Sequence, residues 1–276
     1  MKNIILMVAL LFCVKAFAQT FEGTIKWSMK AEITDPKQKA QMEAAQKQMS
    51  DPANQARMKE MQAKMNDPQF KAMMESNPQM KAQMDKMMST MASGDVSSIM
   101  PKGFIVKIKG KDTVTKMEGG MMANSEFLHQ GDKNQSYNVD RQNKTYSVMN
   151  ATQAKTESTT TDADVKVTKT SETAKILNYN CTKYIVETTS HGTTITQFLW
   201  ATTEIKDFDL KALSKQNFGK GQRMFYDKVD GVPLKIEMKT NEMNMTMEAT
   251  EIKKELLSAA DFTIPADFKE VPGMFK

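Results

Sequence analysis

The chain has 276 residues, 40% of them hydrophobic and 26% charged, with a formal net charge of +5. That is enough chain and apolar content for one or two domains with a real core, and too few hydrophobic residues in any long run for an integral membrane bundle. The two cysteines, Cys13 and Cys181, exclude a disulfide-rich scaffold, and basic residues interleaved with acids argue against a nucleic-acid-binding protein.

Met1–Ala18 has the layout of a secretory leader: Lys2, an apolar run Ile4–Val14, then Ala16-Phe17-Ala18. The run is too short to span a bilayer, so residues 1–18 are expected to be a Sec-type signal peptide cleaved after Ala18. Its removal takes away Lys2, Lys15 and Cys13 and leaves a charge of +3. Large residues precede Cys13, which disfavours it as a lipid-anchor cysteine. No later apolar run reaches membrane-spanning length, and a secreted or periplasmic soluble protein is expected. Cys181 would then be the single cysteine, with burial as a small apolar residue its favoured role.

Phe21, Gly23, Ile25, Trp27 and Met29 alternate with polar residues, the period of a half-buried strand, and residues 19–34 are assigned to the first strand of a β domain. Residues 35–100 differ in kind. They hold thirteen of the twenty-six methionines, one aromatic, no cysteine and no histidine, with nine basic against seven acidic residues from 36 to 100. Proline removes a backbone donor and disfavours α geometry in the residue before it. Asp35-Pro36, Asp51-Pro52, Asp67-Pro68 and Asn77-Pro78 therefore each end one helix and cap the next. Helices are predicted over about 36–49, 52–65, 68–75 and 78–91, a Met-rich helical insertion after the first strand. Met80, Met84, Met87 and Met91 share one face, as do Met58, Met61 and Met65.

Residues 101–276 return to the strand pattern. Predicted strands are Phe104–Lys109, Thr113–Glu118, Ser125–His129, Gln135–Val139 and Lys144–Met149, the last two joined by a turn at Asp140-Arg141-Gln142-Asn143. After an aperiodic stretch at 150–164 come Val165–Thr170, Ile176–Thr189, Thr193–Ala201, Met224–Lys228, Val232–Thr240 and Met243–Lys254, with one helix over Asp207–Lys215. Asp230-Gly231 reads as a hairpin turn between Met224–Lys228 and Val232–Thr240. The fold class is α+β: a mainly antiparallel β-sheet with the Met-rich helices inserted.

Ile176-Leu177-Asn178-Tyr179-Asn180-Cys181-Thr182-Lys183-Tyr184 resembles the Ile-x-Gly-Tyr-x-Cys-x-Lys-Tyr strand of the secreted domain of unknown function numbered 4412 (DUF4412), a family of the Bacteroidetes. Trp200 falls where that family has a tryptophan, Gly231-Val232-Pro233-Leu234 is similar to its Gly-x-Pro-Leu element, and Asp261-Phe262-Thr263-Ile264-Pro265 to its closing Phe-x-Ile-Pro. Asn178 departs from the family's usual glycine. The resemblance covers the first strand and about residues 101–270, not the Met-rich insertion. It implies a curved antiparallel sheet, a half-barrel like the periplasmic lipoprotein carriers. The family has no established activity, so no catalytic residue is implied.

Nor does the sequence carry a catalytic motif: there is no Gly-x-Ser-x-Gly elbow, phosphate loop, His-Glu-x-x-His or Cys-x-x-Cys. His129 and His191, each next to turn-forming residues, read as turn residues, and the pairs Asp162 with Asp164 and Asp207 with Asp209 as solvated acids. The expected role is non-enzymatic binding of a hydrophobic small molecule or lipid, or of an envelope protein. Flexible Met58, Met61, Met65, Met73, Met74, Met80, Met84, Met87, Met88 and Met91 are the candidate contact residues. An oxidant sink is a further use of exposed methionine. The alternative class is a soft metal, Cu(I) or Ag(I), held by the thioethers of Met58, Met61, Met65, Met80, Met84 and Met87; otherwise no cofactor is expected. Replacing Met80, Met84, Met87 and Met91 by Leu keeps apolar volume and removes sulfur. A metal site loses its Cu(I) affinity in titration, whereas a packing stripe loses less than about 1.5 kcal/mol of stability.

Overall fold

The computed structural model describes residues 20–65, 67, 68, 84, 100–120, 123, 125–149, 165–190, 193–206, 208 and 228–272. Within them β1 (Glu22–Ile33) is followed by helices α1 (Pro36–Ser50) and α2 (Pro52–Met65). The Asp-Pro punctuation has a direct structural expression. Asp35 accepts hydrogen bonds from the Lys37 and Gln38 backbone N–H groups at the head of α1. Asp51 accepts one from Ala53 at the head of α2. The predicted helices over 68–75 and 78–91 fall almost wholly outside the described residues.

Ten further strands with more than two residues follow: β2 (Gly103–Lys109), β3 (Asp112–Glu118), β4 (Glu126–Gln130), β5 (Gln135–Asp140), β6 (Thr145–Met149), β7 (Val165–Ile176), β8 (Tyr179–Ser190), β9 (Thr193–Thr202), β10 (Val232–Lys239) and β11 (Met243–Lys254). A two-residue strand, β12 (Lys269–Glu270), closes the chain. All twelve join one sheet in the order β12-β6-β5-β4-β3-β2-β1-β11-β10-β9-β8-β7. Every pairing is antiparallel except that of β12 with β6. The first strand is thus the middle of the sheet, with β2–β6 laid out on one side and β11–β7 on the other.

The alternation in β1 decides which face is buried. Ile25 and Trp27 are 0% and 2% exposed, while Lys26 and Ser28 between them are only partly buried. Cross-strand partners share a face. Ile25 lies opposite Val106 of β2 and Ile252 of β11, and Trp27 opposite Phe104 and Ala249. The Trp27 and Phe104 rings stack at 5.6 Å between centroids. Thr250 is the extra residue where the β1–β11 register shifts, and its hydroxyl donates to the Lys26 carbonyl. This inner face continues through Met247, Ile236, Leu199 and Tyr184 in successive strands. The large core cluster, from Phe21 to Ala249, lies along it.

Three expectations are corrected. The predicted strand Ile176–Thr189 is not continuous: Leu177 and Asn178 have φ of 53° and 104°, and form the turn between β7 and β8. The apolar Leu177 hid this turn in the sequence. His129 is no turn residue; it lies in β4, 5% exposed. Asp230-Gly231 does not join two paired strands, because β10 already has β9 and β11 as its neighbours. Gly231 is needed there for another reason. Its φ is 90°, and a Cβ would fall 2.2 Å from the Thr202 carbonyl oxygen. Met224–Tyr226 and most of the predicted helix over Asp207–Lys215 lie outside the described residues.

At Asn178 the backbone demands the left-handed region that glycine enters without steric cost. Asn178→Gly is expected to raise stability by about 0.5–1 kcal/mol and Asn178→Val to lower it by more, as read by denaturant unfolding.

Candidate functional site

The two faces of the sheet are finished differently, and the difference locates the site. On the outer face of β3–β6 a second cluster forms from Val114, Leu128 and Val139, closed by Phe262 of the C-terminal segment. That segment crosses the face as a strap. Glu22 accepts from the Leu257 N–H at 2.6 Å and from Lys109 Nζ at 2.8 Å. Lys107 pairs with Asp261 at 3.0 Å, and Gln130 Nε2 donates to the Phe262 carbonyl. Arg141 bonds both the half-buried-end carboxylate of Glu126 and the Asp261 carbonyl. Beyond Phe262, Lys144 pairs with Asp267, and the Lys269 N–H donates to the Lys144 carbonyl. The Lys109 hydrogen bond, with help from Leu257, holds the Glu22 carboxyl below its ordinary range. The Glu22 contact is therefore present above the usual carboxylate pKa and is lost as pH falls through the lowered one.

The outer face of β8–β11 is open and polar. Lys183 lies over the Phe198 and Trp200 rings at 5.0 and 5.5 Å and pairs with Glu172 at 2.9 Å. Lys235 bridges Glu237 and Glu248. Such pairs across half-exposed strands suit a solvated face.

The inner face is the candidate site. Its middle strands are apolar. Toward β3–β6 it turns polar: Thr113 lies opposite Ile108 and His129, and Thr115 opposite Val106 and Phe127. His129 Nδ1 is 2.9 Å from Ser136 Oγ, its partner on β5. Toward β9 the apolar surface is interrupted by Gln197, opposite Met238 and Val186. A thioether group is also built here: Met29 is opposite Met247, and Met245 opposite Met238. The sequence placed Met243, Met245 and Met247 on one side of their strand, and the last two are 8% and 1% exposed.

Of the methionines proposed from sequence, Met58, Met61 and Met65 belong to α2, but their side chains lie outside the described residues. Met84 is helical and half-buried. Met73, Met74, Met80, Met87, Met88 and Met91 lie outside the described residues, as do His191, Asp162, Asp164, Asp207 and Asp209. The described side chains of α1 and α2 are exposed or half-buried, none fully buried. Cys181 is 1% exposed, and burial pushes its thiol up to about 11. It is a core residue, kept neutral at physiological pH.

Sequence reasoning missed the polar part of the inner face. The signal was present in Thr113-Val114-Thr115-Lys116-Met117, where the threonines share the phase of Met117. A polar residue in the inward phase of a strand is the informative kind of burial.

The described strands thus form one antiparallel sheet with a largely apolar inner face, strapped on the outer face of β3–β6 by Phe262. The chain belongs to the domain of unknown function family DUF4412, whose model matches residues 72–268. The match starts inside the Met-rich segment, and so takes in residues 72–100 that the sequence resemblance left out, while omitting β1. No curated protein matches the sequence. Among solved structures, the lipoprotein LppX of Mycobacterium tuberculosis is 6% identical, with 86% of this chain and 89% of that one covered at a TM-score of 0.36. LprF from Mycobacterium bovis is 11% identical, with 63% and 85% covered and a TM-score of 0.30. Likeness this distant transfers no ligand and no role.

Phe262, 3% exposed, is the residue on which the strap depends. Phe262→Ala is expected to cost about 3–5 kcal/mol in chemical denaturation, in line with aromatic truncation in a core.

Proposed function

We propose that the chain is a non-enzymatic, secreted or periplasmic binding protein that takes an apolar ligand on the inner face of its sheet. The observation that carries this is the segregation of side chains. Trp27, Phe104, Val106, Leu199, Ile236 and Met247 come from five strands of one layer and share one face. Such a face is buried by curling of the sheet on itself, by another layer or by a guest. Among the described residues, every strand is in that one layer, and α1 and α2 bury no side chain. The leader-like Met1–Ala18 supports export, and among the described residues no helix is long and apolar enough to cross a membrane. In this reading the sheet wraps the ligand as a half-barrel, with the Met-rich segment between β1 and β2 as an adaptable apolar contact.

A second reading, soft-metal binding, draws on Met29, Met238, Met245 and Met247, because thioethers select Cu(I) or Ag(I). One experiment separates the two. Native mass spectrometry of protein purified from its own host should show an adduct of lipid mass, and the delipidated chain should change its Trp27 emission on addition of 1-octadecene. A copper adduct without lipid favours the second reading. The absence of both an adduct and an emission change sinks the binding of apolar ligands.

A further inference from the structure

Among the described residues, four inward-facing polar atoms have no hydrogen-bond partner: Thr113 Oγ1, Thr115 Oγ1, Thr145 Oγ1 and Gln197 Oε1. Their residues are 0%, 0%, 6% and 3% exposed, so water does not reach them freely. Folded chains seldom leave buried hydroxyls and amides unpaired, and each one that is unpaired calls for an explanation. The register puts all four on the inner face. Thr113 and Thr115 lie opposite Ile108 and Val106, Thr145 has the phase of Ser147, which faces Asn138, and Gln197 lies between Met238 and Val186.

Their distribution is uneven. Three of the four are on β3 and β6, the same half of the sheet that carries the His129–Ser136 pair. The opposing outer face of that half is already sealed by Phe262 and the strap, so these hydroxyls have only the inner side to serve. Met117 on β3 and Phe127 on β4 bring apolar groups into this half, and on the next strand, β2, the inward Ile108, Val106 and Phe104 are all apolar. The inner face therefore has a hydrogen-bonding end and an apolar floor.

The chemistry of the polar end also limits its guest. Apart from Asp140, its described inward polar side chains are hydroxyls, an amide and an imidazole, with no lysine or arginine among them. Lys107, Lys109 and Arg141 are engaged by Asp261, Glu22 and Glu126 on the other face. The inward Asp140 sits at the turn, where its carboxylate accepts from the Asn143 backbone and side chain. A phosphate or carboxylate head placed at this end would be buried without a counter-charge, which is far costlier than burying a neutral group that can hydrogen-bond.

We infer that the ligand is a neutral amphiphile, a long-chain alcohol, ester or amide. Its uncharged head hydrogen-bonds to Thr113 and Thr115, and its chain lies along Phe104, Trp27 and Leu199. This rests on the carrier reading given above and names its ligand class. Gln197 supplies an acceptor along the chain's path, suited to a second hydroxyl or amide N–H.

The test uses the delipidated mature chain and three probes of equal chain length, 1-monooleoylglycerol, oleate at pH 8 and 1-octadecene, each titrated by native mass spectrometry. Monooleoylglycerol should bind about tenfold or more tighter than either of the others, the scale of one or two buried hydrogen bonds. In Thr113→Val and Thr115→Val, which keep shape and remove the hydroxyl, the ratio of monooleoylglycerol to octadecene affinity should fall about tenfold, while Thr113→Ser retains it. Thermal midpoints that do not drop in the valine variants show that they are folded, as expected for loss of an unpartnered hydroxyl. Tighter binding of oleate, or an unaltered ratio in both valine variants, overturns the neutral-head assignment and leaves the carrier reading in place. Failure of all three probes to bind overturns both.

Discussion

The fold depends on β1 being paired on both sides. It holds β2 on one edge from Glu22 to Ser28 and β11 on the other from Gly23 to Ile33. The β11 pairing joins residues more than two hundred positions apart, and without it the sheet would be two separate half-sheets. Long-range pairing of this kind forms only when both halves already have surface to offer. The Trp27–Phe104 stack and the Ala249 and Ile252 contacts supply that surface at the junction. Burying side chains of this size contributes about 1.5–3 kcal/mol each. The seam is also where the close approach of strands requires glycine: a Cβ on Gly103 would lie 2.2 Å from the Trp27 carbonyl oxygen.

From this seam the two halves diverge. The β3–β6 half is a sandwich of unequal layers, with strap and aromatic anchor outside and a hydroxyl-lined surface inside. The β8–β11 half leaves its outer face to lysine–aromatic and lysine–glutamate pairs, and faces inward with leucine, isoleucine and methionine. Both halves thus point their unfinished chemistry at the same side. The tail's Phe262 and Ile264, which the family resemblance marked only as a motif, together with Phe268 seal the outer face of one half.

Much of this was legible in the residues. Alternation located ten of the strands, and the Asp-Pro pairs set the starts of α1 and α2. Alternation also put Met243, Met245 and Met247 on one side. What escaped had physical causes. The β7–β8 turn uses Leu177, a residue with no turn signature, so the predicted strand Ile176–Thr189 runs through the turn and takes in the last residue of β7. The order of strands, with the first in the middle, follows from pairings that no local pattern encodes. His129 looked like a turn residue because Gln130-Gly131-Asp132 follows it, yet the strand ends one residue later than that cue. The site itself was hidden because a threonine is at home in a strand on either face, and only register shows that Thr113 and Thr115 look inward. The Met-rich segment drew the sequence reading toward itself, whereas the described polar and apolar contacts concentrate in the sheet.

One consequence of the strand order concerns distance. β6 and β7 are consecutive in the chain but stand ten inter-strand steps apart in the sheet. Laid flat, that is about 48 Å at the usual strand spacing. From Met149 to Val165 the chain has sixteen peptide steps, a reach of about 55 Å at full extension. These two residues also sit toward opposite ends of their strands, since Met149 shares its row with Ser136, His129, Thr113, Ile108 and Gly23, and Val165 its row with Thr188 and Ile195. A flat sheet would draw the connection taut. Twisting and coiling bring the two margins nearer and give it slack. The connection is thus a tether of fixed length, setting how far apart the two margins of the sheet can ever stand.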